Sequence, residues 1–345
     1  MWHYWWKILS AIIVLATIIF GLGTPLSPGI PAVEPDRINN GVTSLTIKGY
    51  NTRFTDNPDA IKVWITNGDA TFCPYEKTVV DDTHIRVTFS VTEKIADAFF
   101  DLYVNTPREG TMYLPSALLQ NGLEVSLNPD EGDDCISTVS AAADAFDFPN
   151  QPILNETIRN VFYHVPSWFA MIFILVVSLV HSVIFLNKGN PLSDISAANA
   201  AKVGLLFALI GLGTGSVWAR FTWGAWWVND PRLNGAAIAV LIYLAYFVLR
   251  SSVNDSEKAG RLAAVYNIFA FVMMVLFVLI LPRLTDSLHP GAGGNPAFNQ
   301  YDLDDNMRVV LYPAIIAWFG MAYWIYDLKN RMEKMKFKQI MKDDY

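Results

Sequence analysis

Trp223, Trp226 and Trp227 crowd three indoles into five positions, and Asp230 and Arg232 follow at once. Apolar runs of membrane length flank the segment. It therefore reads as a short loop at a membrane surface, a depth that suits rings with an apolar body and a polar N–H. A single tryptophan there would be a helix anchor. Three in one loop, beside an acid and a base, suit a platform for a flat, apolar, negatively substituted ligand, and a porphyrin has that chemistry. Arg220 and Arg232 carry guanidinium forks that match carboxylates such as propionates. Phospholipid headgroups would satisfy the same two arginines equally well.

Of the five histidines, two stand where such a ligand would need them. His164 lies in Phe162-Tyr163-His164-Val165-Pro166, immediately before the second apolar run. His289 lies in Ser287-Leu288-His289-Pro290-Gly291, just beyond the fifth. Each is followed by proline within two residues, which restricts the local backbone. A lone loop histidine is usually only a polar loop residue. Two of them level with a tryptophan loop point to axial ligands for iron, a role imidazole fills readily. His3 falls in the leader and His84 in a strand-like segment. His181 follows His164 by seventeen residues, about 25 Å along a helix, too far to share one porphyrin. Ionisable groups inside membrane helices are functional candidates by default, so His181 stands as a second site or as an interfacial residue.

The elements that must position these groups are apolar. The chain has 345 residues, 52% hydrophobic, with a mean hydropathy of +0.29, which indicates a membrane protein. Runs of the length that spans a bilayer occur at about 8–22, 168–186, 203–218, 236–249, 262–281 and 309–325. Lys7, Lys188, Lys202, Arg250, Lys258, Arg261 and the basic tail lie at one set of ends. The charge rule then puts both termini in the cytoplasm and the tryptophan loop outside. The first run could also be a secretory signal, but Gly21-Leu22-Gly23-Thr24-Pro25 is a poor cleavage site, and an uncleaved anchor is expected. No repeat is visible. The net charge of −7 argues against nucleic acid as a partner.

Between the first two runs lies a polar insert, about 24–159. Its alternation at 42–50, 60–66, 84–91 and 99–104, with turns at Asn67-Gly68-Asp69 and Asp81-Asp82, predicts a small β-sandwich. An Ala- and Asp-rich connector at 140–148 returns the chain to the membrane. Acidic residues outnumber basic ones here by more than two to one, which suits a solvated face or a basic partner. Cys73 and Cys135 are the only cysteines. In an oxidising compartment they are expected to form a structural disulfide; a redox-active pair would want Cys-x-x-Cys spacing. The opening strands resemble a TIG-type immunoglobulin-like domain.

Residues 160–166, then Thr214-Gly215-Ser216-Val217-Trp218, then 223–233, and finally His289 recur in an order that resembles the CcmC family of cytochrome c maturation, with its tryptophan-rich signature. The resemblance runs from about Asn160 to the C-terminus and takes in the first helix. It implies His164 and His289 as iron ligands, and haem-binding roles for Trp218, Arg220, Trp223, Trp226, Trp227, Asp230 and Arg232. It further implies non-covalent, transient haem b held at the outer face of the cytoplasmic membrane. The expected partners are the haem chaperone CcmE and the ABC transporter CcmAB, besides membrane lipid. Asn229 and Asn234 depart from the family pattern, which usually has Trp and Thr there. The insert is an addition to it, expected to dock a partner or gate the site.

The implied architecture is a polytopic α-helical membrane protein of about six transmembrane helices carrying an inserted extracytoplasmic all-β domain. Its parts are 1–23, 24–159, 160–327 and a basic tail at 328–345. A haem–cytochrome c synthase of the CcsA type shares the tryptophan signature but generally has more helices and further membrane histidines. A haem-independent membrane-anchored sensor is the other alternative. Gly211, Gly213 and Gly215 mimic a nucleotide loop, yet at a membrane-helix end they are better read as packing positions. No Walker loop, hydrolase triad or His-Glu-x-x-His motif is present. A delivery or attachment factor is therefore expected rather than a conventional enzyme.

Overall fold

The computed structural model describes residues 4–38, 41–67, 70–91, 99–120, 135–136, 138, 146–151, 154–289 and 303–343. The chain forms two compact units, Met1–Gly23 with Arg159–Tyr345, and Thr24–Ile158. His3, the Gly68-Asp69 turn, most of the 140–148 connector and Pro290 lie outside the described residues.

The first unit contains six helices long and apolar enough to cross a membrane. They are α1 (Trp5–Gly23), α2 (Val161–Lys188), α3 (Pro191–Trp223), α4 (Pro231–Ser251), a fifth span and α7 (Asp305–Asp343). The fifth begins as α5 (Ser256–Val275), passes through a π-helical turn at Leu276–Ile280, and ends as the short α6 (Leu281–Leu284). Each expected span lies inside an observed helix, but the helices extend beyond their apolar stretches because polar ends are capped. Asn190 and Asp230 cap α3 and α4 ahead of prolines at the first helical position, and Asp255 caps α5. Gly189 and Gly224, both at positive φ, close α2 and α3.

Small residues bring α2 against α3. A Cβ on Gly204 would meet Leu175 at 2.5 Å, and one on Gly211 would meet Trp168 at 2.6 Å. Gly213 faces open space, so its expected packing role does not hold. Asn267 of α5 donates 2.8 Å bonds to Ser178 and Ser182 of α2, polar glue between helices in an apolar medium. Buried Lys7 pairs with Asp327 at 2.8 Å, tying α1 to α7. Arg250 of α4 holds Asp194 of α3 through both guanidinium arms. These ion pairs lie at the end of the unit that carries Lys188 and Lys258.

The second unit is two sheets around one core, a β-sandwich. The four-stranded sheet runs β1 (Gly29–Glu34), β3 (Gly41–Tyr50), β7 (His84–Val91), β6 (Glu76–Asp81), all antiparallel. The five-stranded sheet runs β2 (Arg37–Ile38), β9 (Gly110–Gln120), β8 (Phe99–Thr106), β4 (Lys62–Asn67), β5 (Ala70–Phe72), with only β2–β9 parallel. Inward-facing Leu45, Ile47, Ile85, Val87, Phe100, Leu102 and Val104 fill the space between them. Pro31 in β1 falls on an edge strand, where its missing N–H costs no ladder bond. Cys73 and Cys135 form a disulfide with Cα atoms 5.7 Å apart.

Candidate functional site

The groups singled out in the sequence gather at one end of the helical unit, where α2 and α4 begin and α3 and the fifth span end. His164 falls in the first turn of α2, not in the loop before it, because the helix starts at Val161. Pro166 does not stop this helix; its ring costs one bond near the start, and Ser167 Oγ donates to His164 O at 2.6 Å. The imidazole lies over α3. A Cβ on Gly215 would sit 2.8 Å from His164 Cε1, so only glycine leaves room for the ring. His164 Nδ1 is 2.9 Å from Thr214 Oγ1. That hydroxyl directs its single hydrogen at Ile210 O (2.9 Å) and Gly211 O (3.1 Å). It must therefore accept from Nδ1–H, which leaves the His164 lone pair on Nε2.

His289 is held differently. The π-helical turn, two residues before Pro282, widens the end of the fifth span and redirects the chain that follows; such turns recur at functional sites. Gly235 of α4 packs directly on the Phe277 carbonyl within this turn. The 287–289 segment then meets Asp230, which is only 1% exposed. Asp230 Oδ2 accepts 2.8 Å bonds from Ser287 Oγ and Leu288 N, while Oδ1 accepts from Arg232 N at 2.9 Å. His289 Nδ1 lies 3.2 Å from Oδ1, at ion-pair distance but without hydrogen-bond geometry, so the carboxylate faces the ring without fixing its tautomer. Burial pushes the Asp230 carboxyl up, but the His289, Leu288 and Ser287 contacts outweigh it and hold the group well below the usual carboxylate range.

Trp218 and Trp223 box the His289 ring at centroid distances of 5.3 and 5.0 Å, and are 4.6 Å from each other. Thr214 and Trp218 stand one turn apart on the same face of α3, about 6 Å. The two histidines thus approach one helix stripe a turn apart.

Between Gly224 and Asp230 the loop presents Trp226 and Trp227, 58% and 41% exposed. It is tied on both sides. Ser216 Oγ donates to Trp226 O at 2.8 Å, and Arg220 donates to Gly224 O. Trp227 Nε1 donates to Asn234 Oδ1 at 3.2 Å, and Asn234 Nδ2 to Asn229 Oδ1 at 2.7 Å. The two positions that depart from the expected signature are therefore bonded to each other.

The structure brings together His164, His289, Trp218, Trp223 and Asp230, and sets Trp226 and Trp227 beside them on an exposed face. Asp230 contacts protein groups on both oxygens. Arg220 is engaged with the loop backbone, and half-buried Arg232 follows the cap of α4. His181 lies apart, near Tyr326 of α7 at 6.5 Å, with a buried Nδ1 lacking a hydrogen-bond partner. Among the described residues no group of three or more His, Cys, Asp or Glu side chains forms a protein-only metal cage. Two imidazoles with Nδ1 turned towards protein groups, beside exposed indoles, fit iron whose other ligands come from a macrocycle. Thr214 and Ser287 stand in motifs of the sequence without a role of their own there, and Gly215 stands as a packing position, which its close approach to His164 bears out. Their signal was spacing: Thr214 lies one turn before Trp218, and Ser287 lies two residues before His289.

The family model described as heme exporter protein C, CcmC, matches residues 135–343, well over half of the chain. It leaves out α1, which the resemblance was expected to include. Heme exporter protein C of Paracoccus denitrificans is 34% identical over 155 residues, covering 45% of this chain and 64% of that protein. The Rhodobacter capsulatus protein of the same name is 34% identical over 170 residues, covering 48% and 68%. A ccmC-like mitochondrial protein of Marchantia polymorpha, named for cytochrome c biosynthesis, is 38% identical over 89 residues, covering 26% and 39%. The aligned stretches thus span about two thirds or less of these relatives.

Proposed function

The chain belongs to the CcmC family, described as heme exporter protein C, and on that basis we propose that it holds haem for delivery during c-type cytochrome maturation. The observation that carries the proposal is the convergence of His164 and His289, each with Nδ1 turned to a protein partner. Both Nε2 atoms then remain as donors to iron. Haem is the cargo, bound non-covalently and transiently as haem b. Trp218 and Trp223 position His289, while Trp226 and Trp227 lie against the porphyrin. Arg232 serves its propionates, and Arg220 does so through the loop it braces.

The site sits on the outer face of the cytoplasmic membrane, with both termini inside. Lysine and arginine placement supports that orientation. Haem passes to the chaperone CcmE, with CcmAB supplying the energy of release, because the chain carries no phosphate-binding loop of its own. The strand unit is inserted in the chain between α1 and α2. Its role in this reading is to dock a partner or gate the site.

The test is transfer. Haem-loaded full-length protein in detergent, mixed with apo-chaperone, should hand its haem over, and the yield should fall at least tenfold in His164→Ala and His289→Ala. Undiminished transfer in both variants would remove the two histidines from the function. Deleting 24–158 with transfer unchanged would defeat the docking role alone.

A further inference from the structure

The two histidines are supported by different chemistry. His289 Nδ1 faces the Asp230 carboxylate at 3.2 Å. That carboxylate is locked by Arg232 N at 2.9 Å, and by Ser287 Oγ and Leu288 N at 2.8 Å each. His164 Nδ1 faces a neutral group, the hydroxyl of Thr214 at 2.9 Å, and the ring also meets the Gly211 backbone. An anionic group facing the far nitrogen makes an imidazole a stronger donor than a neutral one does, and at 3.2 Å the Asp230 carboxylate acts on His289 as a charge, without a formed hydrogen bond. Trp218 and Trp223 add further restraint to the His289 ring at 5.3 and 5.0 Å, whereas His164 has a single indole, Trp168, at 6.3 Å. His164 has the stiffer backbone, on a helix, and His289 the more confined ring.

We infer that the axial positions are unequal: His289 is the retained ligand, and His164 is the one exchanged when haem is handed on. The inference rests on the two-histidine reading above and names a division of labour within it. In the exchange, His164 Nε2 would leave the iron with its electron pair, and an incoming donor would supply the replacing pair, with the iron's oxidation state unchanged. Asp230 is a positioning residue, acting on iron through His289. Thr214 has the same relation to His164 with a weaker hold.

The experiment uses the full-length protein in detergent, loaded with haem and reduced, with carbon monoxide as the incoming donor and apomyoglobin as a haem acceptor. Wild type should take up one carbon monoxide without releasing haem. His164→Ala should keep its haem and bind carbon monoxide faster, whereas His289→Ala should lose haem to apomyoglobin at least tenfold faster than His164→Ala. Asp230→Asn retains a good helix cap, so the fold should survive. It should lose haem about 10- to 100-fold faster than wild type and shift the iron midpoint potential positive, with Thr214→Val moving both less. Equal haem loss in the two histidine variants, or faster loss from His164→Ala, would overturn the inference while leaving a haem site in place. A larger potential shift in Thr214→Val than in Asp230→Asn would do the same. A wild type that takes up no haem at all would sink the parent reading as well.

Discussion

At the scale of single residues, the site depends on atoms that hold other atoms. Gly215 is the sharpest case, since a Cβ there would lie 2.8 Å from the His164 ring. Gly215→Ala should displace that imidazole, at the roughly 1–3 kcal/mol that overpacking costs. Haem affinity should fall by about tenfold or more while helix content in far-UV circular dichroism stays level. Unchanged affinity would mean the ring has slack that the structure does not show. The histidines and tryptophans were legible in the sequence because their types are scarce and their placement at helix ends is unusual. The contacts Asp230 makes with the 287–289 segment were not legible in the sequence. A carboxylate beside tryptophans reads as a ligand contact, and only the fold reveals that the 287–289 segment returns to occupy it.

At the scale of elements, the loop between α3 and α4 is braced before any ligand arrives. The Asn229–Asn234 amide pair fixes Trp227 through one neutral bond, worth about 1 kcal/mol. Asn234→Ala should therefore weaken haem binding about fivefold. Asn234→Asp, which keeps an acceptor for Trp227 Nε1, should recover part of that loss; fluorescence quenching during haem titration reads both. If alanine and aspartate behave alike, the indole is not oriented by this bond. Helix existence could be read from apolar runs, and β7 from clean alternation. Helix ends could not, because Pro191 and Pro231 look like breakers until Asn190 and Asp230 are seen capping the turns they begin. Strand β9 escaped for a related reason: Pro115, and Ser116 at positive φ, interrupt its alternation beside a bulge against β8.

At the scale of the whole molecule, the chain couples a helical unit built on membrane-length spans to a strand unit with its own core. Composition alone announced both, because the insert is polar and alternating where the rest is apolar. A chain with two cores should lose one without the other. Replacing Cys73 and Cys135 by serine removes a cross-link between positions 62 residues apart, worth about 4 kcal/mol on the chain-entropy model. The strand unit's urea midpoint should drop accordingly, with the haem spectrum unaltered; a spectrum that changes with the disulfide would show the units to be energetically linked. The central claim, two histidines on one iron, is tested most directly by absorption spectra of the detergent-purified protein supplied with haem, oxidised and dithionite-reduced, beside His164→Ala and His289→Ala. Wild type should show a Soret band with sharp low-spin α and β bands, lost or shifted in each variant. A wild type that binds no haem, or a spectrum indifferent to both substitutions, would contradict it.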